Sequence, residues 1–501
     1  MREETDVIRK GDIREVRILD IADSGEGIGK ADGYTLFIKD TVPGDLVRAL
    51  VMKTGKSYGY AKLLQIIEES TERVAPRCGI SRSCGGCQLQ SLSYEAQLNW
   101  KQRKVRADLI RLGGFDEQTV DSVTEEIVGM EEPWYYRNKQ QIPVGRKDGK
   151  LCAGFYAGRT HSIIPMEDCC ISEPVNRKIL EIILSYMEEE GISPYDEQTG
   201  KGLVRHVLIR TGKRSGQIMV CLIVNGRKLP EEQKLVQKLT EKVPGLAGIS
   251  LNVNRERTNV ILGKELRTLW GAAVIEDSLQ IFRPEGKGFA AMDQKPVRFR
   301  ISPLSFYQVN PTQTEKLYSL VLDYAQLTGK EKVVDLYCGV GTISLFLAGF
   351  AGSVYGVEII PEAVRDAREN AELNGFKNVT FEVGKAEELL PAYLEKEENR
   401  NVDVVVVDPP RKGLDPVSID TILKLAPSRI IYVSCNPATL ARDLKMFCEK
   451  DYCLKRVRPV DQFGHTVHVE TVCLLINQNA QAKHHVNVGL DAEEYYQLKT
   501  K

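Results

Sequence analysis

Lys332-Val333-Val334-Asp335-Leu336-Tyr337-Cys338-Gly339-Val340-Gly341-Thr342 decides the fold. A short apolar run of strand character passes directly into Gly-x-Gly. The glycines at 339 and 341 let the backbone turn tightly and approach a ligand where a parallel strand ends. Further strand-like runs follow at 353–357, 379–383, 402–407 and 429–433, alternating with helical patterns such as Pro361 to Asn374. That alternation predicts βαβ units, hence an α/β domain with a Rossmann-like parallel sheet covered by helices, over residues 301–480.

The strand ends narrow what such a sheet binds. The second run ends in Glu358, a carboxylate able to accept hydrogen bonds from both hydroxyls of a ribose. Gly339-Val340-Gly341-Thr342-Ile343-Ser344 lacks the third glycine and the longer loop that a pyrophosphate requires. The pattern therefore suits S-adenosylmethionine, which carries no phosphate, better than a dinucleotide. The fourth run ends in Asp408-Pro409-Pro410-Arg411, where two prolines hold a carboxylate rigidly because each fixes its own φ and restricts its predecessor. An aromatic residue after Pro-Pro would stack a base for methylation at an exocyclic nitrogen. Arg411 stands there, which turns the reading toward methylation at carbon.

Carbon 5 of a uracil becomes nucleophilic only after a thiolate adds at carbon 6, and a base must later remove the carbon 5 proton. Cys435, in VSCNPAT after the apolar run Arg429 to Val433, stands at the mouth of the predicted sheet. A free cysteine is more often a small core hydrophobe, and in isolation Cys435 would be read so. For the base, Glu470 interrupts the otherwise apolar His468-Val469-Glu470-Thr471-Val472-Cys473-Leu474-Leu475. Burial there would raise its pKa toward neutrality.

Elsewhere, residues 7–67 alternate short strands with Gly, Asp and Pro turns and predict a small β-barrel, either an oligonucleotide binder or a structural cap. Residues 68–300 form a central region with a β-rich portion and a cysteine cluster, and 481–501 a polar tail. Gly200 to Lys228 holds Lys201, Arg205, Arg210, Lys213, Arg214, Arg227 and Lys228 without one acidic residue, so a basic, RNA-binding surface is expected there, the alternative being a solvated face. Lys101, Arg103, Lys104 and Arg106 likewise crowd one helix. The 42% hydrophobic and 27% charged composition excludes wholesale disorder, and the net charge of −1 carries no message about partners. No apolar run reaches the roughly 18 residues of a membrane span, and the start lacks a signal-peptide core, so a cytoplasmic protein without membrane attachment is expected.

In a reducing compartment the twelve cysteines are not disulfide material, and ordered spacing among them points to metal or catalysis. Cys78, Cys84 and Cys87 are spaced C-x5-C-x2-C, with a fourth thiol available at Cys169 or Cys170. Four thiolates hold zinc or an iron-sulfur cluster, and spacing alone does not separate the two. It is not the C-x3-C-x2-C of radical S-adenosylmethionine enzymes. Cys152, Cys221, Cys338, Cys448, Cys453 and Cys473 have no such spacing and are read as core.

SFYQVN at 305–310, DLYCGVGT at 335–342, DPPRKGL at 408–414, SCNPATLARDL at 434–444 and HVETVCLL at 468–475 together resemble the RNA (uracil-C5)-methyltransferase family in order and spacing, over nearly the whole chain. The resemblance implies Cys435 as nucleophile, Glu470 as base, and Gln308, Tyr337, Glu358 and Asp408 in contact with S-adenosylmethionine. It implies that the barrel is a TRAM domain and that Cys78, Cys84, Cys87 and Cys169 hold a [4Fe-4S] cluster, with Cys170 the competing fourth ligand. Phe306 falls either near the target base or in the core. The implied activity is methylation of one or two uridines of 23S ribosomal RNA by a monomer. The T-loop of transfer RNA is the nearest alternative substrate, and a non-catalytic RNA-binding assembly factor the alternative of another class. Joint presence of Cys435, Glu470, Gln308 and Asp408 disfavours the latter. A DNA cytosine methyltransferase is disfavoured because Pro437 follows Cys435, whereas there the nucleophile follows a proline.

Overall fold

The computed structural model describes residues 8–157, 160, 162–395 and 401–480; the tail assigned to 481–501 lies outside them. Five strands, Ile13–Ile21, Gly27–Ala31, Tyr34–Ile38, Leu46–Thr54 and Tyr58–Glu68, close into a barrel in the order first, second, third, fifth, fourth. Their period-two alternation sends Val16, Leu36, Ile38, Val47 and Ala49 inward, where they are fully buried. On the outer wall Phe37, Tyr58 and Tyr60 form a cluster with ring centroids 5.5 to 5.9 Å apart.

The central region builds a seven-stranded sheet that runs from Glu265–Gly271 through Leu246–Val253, Ile218–Val224, Val204–Thr211, Lys139–Lys147 and Lys150–Tyr156 to Ile163–Pro165. Helices Val175–Glu189 and Glu232–Lys242 cover it through Ile179, Ile183, Tyr186, Leu235 and Leu239. Helix Tyr94–Arg111 packs elsewhere: Val105 and Leu109 join Leu440, Leu444 and Phe447 in the core of the last third of the chain.

Most of the charge expected to make a basic surface over 200–228 is buried or cancelled, while Lys201 and Lys228 remain exposed. Arg205 and Arg210 are buried inside the strand Val204–Thr211. Arg205 pairs with Glu197 at 3.1 Å, Lys213 with Glu173 at 2.8 Å, and Arg214 with Glu315 at 2.7 Å. Glu173 and Glu315 come from remote segments, and Glu197 stands just before the run. The basic helix is neutralised in the same way. Lys104 pairs with Asp23 and Asp108, and Arg106 with Asp121 and Glu117, while Lys101 is wholly buried against Asp461 at 2.5 Å. Of the four, Arg103 alone is exposed without an ion pair among the described residues.

Lys101 also donates to the Phe463 carbonyl at 3.0 Å, and Tyr94 donates to Asp461 at 2.7 Å. These bonds strap helix Tyr94–Arg111 to the loop 461–469. Removing one member of a buried pair strands the other charge, so Asp461→Ala is expected to lower the unfolding free energy by about 3–5 kcal/mol. Urea denaturation measures this, and a loss below about 1 kcal/mol would contradict it.

In the last third the predicted sheet is present, in the order Val379–Val383, Ser353–Glu358, Lys332–Leu336, Val404–Val407, Arg429–Ser434, Glu470–Asn477, Tyr452–Val460. The first five are parallel, and helix Pro361–Asn374 has the predicted bounds. Two details differ from the expectation. The final strand begins at Glu470, not His468, and it runs antiparallel beside Arg429–Ser434 after a strand, Tyr452–Val460, whose Lys455, Arg456 and Arg458 mask its pattern. Among the described residues no helix is long and apolar enough to cross a membrane.

Candidate active site

At the carboxyl edge of the first strand the chain reverses through Tyr337 at φ +67°, Gly339 at +56° and Gly341 at +82°. A Cβ on Gly341 would lie 2.8 Å from the Phe381 ring, whereas one on Gly339 would meet open space. The turn is therefore closed on the sheet side and open toward the edge. The Glu358 carboxylate accepts from the Gly339 amide at 3.2 Å and from the Ile360 amide at 3.0 Å, which fixes it beside that opening. Ile359, Ile360 and Val383 expose their side chains at the neighbouring strand ends, an apolar wall that the sequence did not reveal. Its signal, two adjacent isoleucines after an acidic strand end, is too common to be read alone.

Three carboxylates gather here. Asp335 is pushed up to about 7 by burial, then by the charges of Asp408 and Glu358, against a hydrogen bond from Ser344 at 2.5 Å. Asp408 is pushed up to about 7 by burial. Its carboxylate has no hydrogen-bond partner among the described residues. The Tyr318 hydroxyl lies 3.1 Å from that of Thr342, hydrogen-bonds the Gln308 side chain and feels the Asp408 charge. Gln308 thus stands near Asp408. Tyr337 is half-buried, its hydroxyl 3.3 Å from Ser418. Phe306 is 69% exposed, which removes the core alternative for that ring.

Across the sheet, Arg429–Ser434 and Glu470–Asn477 are registered with Ser434 opposite Thr471, so the next residues outward are Cys435 and Glu470. Cys435 is partly exposed, two residues before the first turn of helix Pro437–Cys448. Asn436 caps that helix, its side-chain oxygen accepting from Ala438 at 3.2 Å. A helix N-terminus favours a negative charge beside it. Burial, then Glu470 and Asp408, nevertheless push the Cys435 thiol up to about 11, while Arg411 opposes them. Glu470 is buried and pushed from its ordinary 4.5 up to about 8 by burial, then by Asp408, again opposed by Arg411.

Arg411 and His468 complete the rim, 3.3 Å apart, and burial followed by Arg411 holds the imidazole below its usual pKa. The Arg411 carbonyl accepts from Asn436 at 3.1 Å and Thr439 at 3.2 Å, locking the Asp-Pro-Pro-Arg turn to the cysteine turn. In the sequence Arg411 figures only as a missing aromatic, and His468 has no role. Nothing in their spacing shows that they meet.

Cys84 and Cys87 line a cleft against the barrel residues Gly25, Lys39 and Thr41, and the charges of Cys78 and Cys169 act on both. Burial pushes Cys87 up to about 12, and the charges of Cys169, Cys84 and Cys78 act in the same direction. Cys84 is raised by burial, then by Cys169 and Cys78. Cys170 is raised by burial, then by Cys78, with Asp168 and Cys169 acting in the same direction and Arg77 opposing. Among the described residues no group of three or more His, Cys, Asp or Glu closes tightly enough for a single metal ion. Of the cysteines read as core, Cys152, Cys221, Cys338 and Cys473 are buried, but Cys448 and Cys453 are only half-buried, and all twelve cysteines are free.

Sheet order and glycine turn define the S-adenosylmethionine-dependent methyltransferase fold. Residues 288–478 match the tRNA (uracil-5-)-methyltransferase family, and residues 9–64 the TRAM domain. An uncharacterized RNA methyltransferase of Halalkalibacterium halodurans is 46% identical over 472 residues, 94% of this chain and 98% of that protein. One of Clostridium tetani is 45% identical over 468 residues, 93% and 97% of the two chains. The crystal structure of Pyrococcus abyssi tRNA (uracil-54, C5)-methyltransferase in complex with S-adenosyl-L-homocysteine is similar at a TM-score of 0.71 and 28% identity, over 92% of this chain and 100% of that one. The chain belongs to the RNA (uracil-C5)-methyltransferase family and carries a TRAM domain at its N-terminal end.

Proposed function

We propose that this protein transfers a methyl group from S-adenosylmethionine to carbon 5 of a uridine in 23S ribosomal RNA, with Cys435 as nucleophile and Glu470 as base. The observation that carries the reading is the adjacency of a partly exposed thiol and a buried carboxylate at the ends of two antiparallel strands, beside Asp408. The Cys435 sulfur bonds carbon 6, and the ring electrons move toward carbon 5 and its neighbouring carbonyl. S-adenosylmethionine, when bound, supplies the methyl group that carbon 5 takes. Glu470 then removes the carbon 5 proton, the double bond re-forms and Cys435 leaves as thiolate.

The cofactor fits the strand-end residues. Asp335, Glu358 and Asp408 make a pocket of negative charge, suited to ribose hydroxyls and to the cationic sulfur and amino group, and hostile to a pyrophosphate. Gln308, Tyr337, Glu358 and Asp408 are the residues we assign to hold it. Domains 7–67 and 68–300 would grip the RNA, supplying binding energy for the few kcal/mol that unstacking a base requires. The exposed aromatic cluster on the barrel supports this role. We read the protein as a cytoplasmic monomer.

The cysteine cluster is read as a [4Fe-4S] site. Cys84 and Cys87 are both raised by the charge of Cys169, which supports Cys169 as fourth ligand. The cluster's role would be to shape the RNA-binding surface. RNA affinity measured after oxidative loss of the cluster tests this, and unchanged affinity would contradict it.

A second substrate, transfer RNA, is favoured by the likeness to the Pyrococcus abyssi enzyme. Labelled S-adenosylmethionine offered separately to unmodified large-subunit ribosomal RNA and to unmodified transfer RNA distinguishes them. Label in transfer RNA alone would keep the chemistry and overturn the substrate. Label in neither, from protein that binds the cofactor, would favour a binding factor.

The rim predicts a pH dependence. Glu470 must be ionised to accept a proton and Cys435 must be a thiolate, so activity is expected to rise with pH from 6 through 9. Arg411→Gln removes the charge that holds both groups down and moves the rise to higher pH. A rise displaced by about 1 in pH for both groups lowers kcat at pH 7 by up to about a hundredfold. A pH–rate profile unchanged in the variant would contradict this.

A further inference from the structure

Three cations stand uncompensated beneath the turn that carries Phe306 and Gln308. Lys139 and Arg210 face each other directly across the antiparallel strands Lys139–Lys147 and Val204–Thr211. Arg137, two residues earlier, donates from Nε to the Lys139 carbonyl at 3.0 Å. None of the three makes an ion pair among the described residues, and the charges acting on Lys139 are Arg210 and Arg137, both repulsive. Arg210 is fully buried; its Nη2 donates to the Ser305 carbonyl at 2.7 Å, while Nε and Nη1 have no partner. Burial, then Arg210 and Arg137, hold Lys139 down to about 7.

Like charges opposite each other in a sheet are destabilising, and a buried charge left unpaired is more so. Such a cluster fits a place where an anion arrives from outside. The cluster is tied to the active-site rim: the Asn138 amide donates to the Val309 carbonyl at 2.8 Å and its side chain to the Gln308 carbonyl at 3.2 Å. Two residues before Gln308, Phe306 exposes its ring.

We propose that Arg137 and Lys139, backed by the buried Arg210, bind a backbone phosphate of the RNA next to the nucleotide presented to Cys435. The proposal rests on RNA being the substrate but not on which RNA. A half-exposed guanidinium offers a fork to two phosphate oxygens and the ammonium a point charge between them. The arriving phosphate would remove the repulsion that the free protein carries.

Lys139→Met separates this role from a structural one, because the two readouts move in opposite directions. Binding of a uridine-rich single-stranded oligonucleotide is followed by fluorescence anisotropy across a salt series, and the Tm of the free protein is recorded. Loss of one phosphate contact is expected to flatten the slope of log Kd against log salt by about 0.7 and to weaken binding about three- to tenfold at low salt. The free variant is expected to melt higher than wild type, and Lys139→Arg to keep the wild-type slope. Arg137→Gln, at a half-exposed position, is the second variant and is expected to flatten the slope equally.

An unchanged salt slope in Lys139→Met and Arg137→Gln would overturn the proposal. So would weakened binding of S-adenosylhomocysteine with RNA binding intact, which would place the cofactor's carboxylate at the cluster. A flattened slope in an enzyme that methylates no RNA would leave the phosphate site standing and sink the proposed activity instead.

Discussion

Replacing Cys435 by alanine is expected to lower methyl transfer by on the order of 10⁶, the loss seen when an activated nucleophile is removed from a covalent catalyst. In the proposed mechanism addition of Cys435 at carbon 6 is what makes carbon 5 reactive, so no slower direct route through the same bound state replaces it. Neither the cofactor turn around Gly339 nor the RNA-facing cluster at Lys139 touches the thiol, and both affinities should stay within about threefold of wild type. Single-turnover transfer of label measures the rate. A residual rate within about a hundredfold of wild type, with intact binding, would remove Cys435 from the chemistry.

Glu470→Gln should separate the two halves of the reaction. The thiol can still add and carbon 5 can still be methylated, but its proton has no acceptor, and the elimination of Cys435 stalls. The expected result is a denaturant-stable protein–RNA adduct and turnover reduced by about 10²–10⁴. The same change should stabilise the free protein. The folded-state pKa of Glu470, about 8, lies above its ordinary 4.5, so the fold favours the protonated form. That preference is fully present below the lower value and is lost as the pH rises through the upper one. At pH 7 an uncharged amide avoids on the order of 3 kcal/mol, the cost of holding Glu470 protonated in the fold. Absence of a trapped adduct, with transfer abolished at the first step, would assign proton removal to another group and Glu470 to an earlier role.

The two expectations rest on an adjacency that no sequence window contains. Cys435 and Glu470 are brought together because the last strand enters the sheet antiparallel, beside the strand that ends in Ser434. Its partner hairpin strand is hidden in the sequence by Lys455, Arg456 and Arg458, and part of that charge is discharged against Glu125 and Asp323 from distant segments. Charge is misleading along the chain for the same reason. The run Gly200 to Lys228 looks like an RNA-facing surface on paper, yet Arg205, Lys213 and Arg214 find carboxylates elsewhere in the fold. Buried or half-buried and still without an ion pair is the smaller cluster at Arg137, Lys139 and Arg210, which pattern counting has no means of singling out.

The sequence by itself determined the parallel sheet, its glycine turn, the strand-end carboxylates Glu358 and Asp408, and the place of Cys435 after a strand and of Glu470 among apolar neighbours. These are local properties: strand period, turn conformation and the contrast of one polar residue with its apolar neighbours all lie within a few positions along the chain. Tertiary structure alone decided which charges are cancelled, which are left bare, and which side chains share the rim. Arg411 with His468, and Lys101 with Asp461 at 360 residues' separation, depend on long-range packing, where partners are selected by burial and not by distance along the chain.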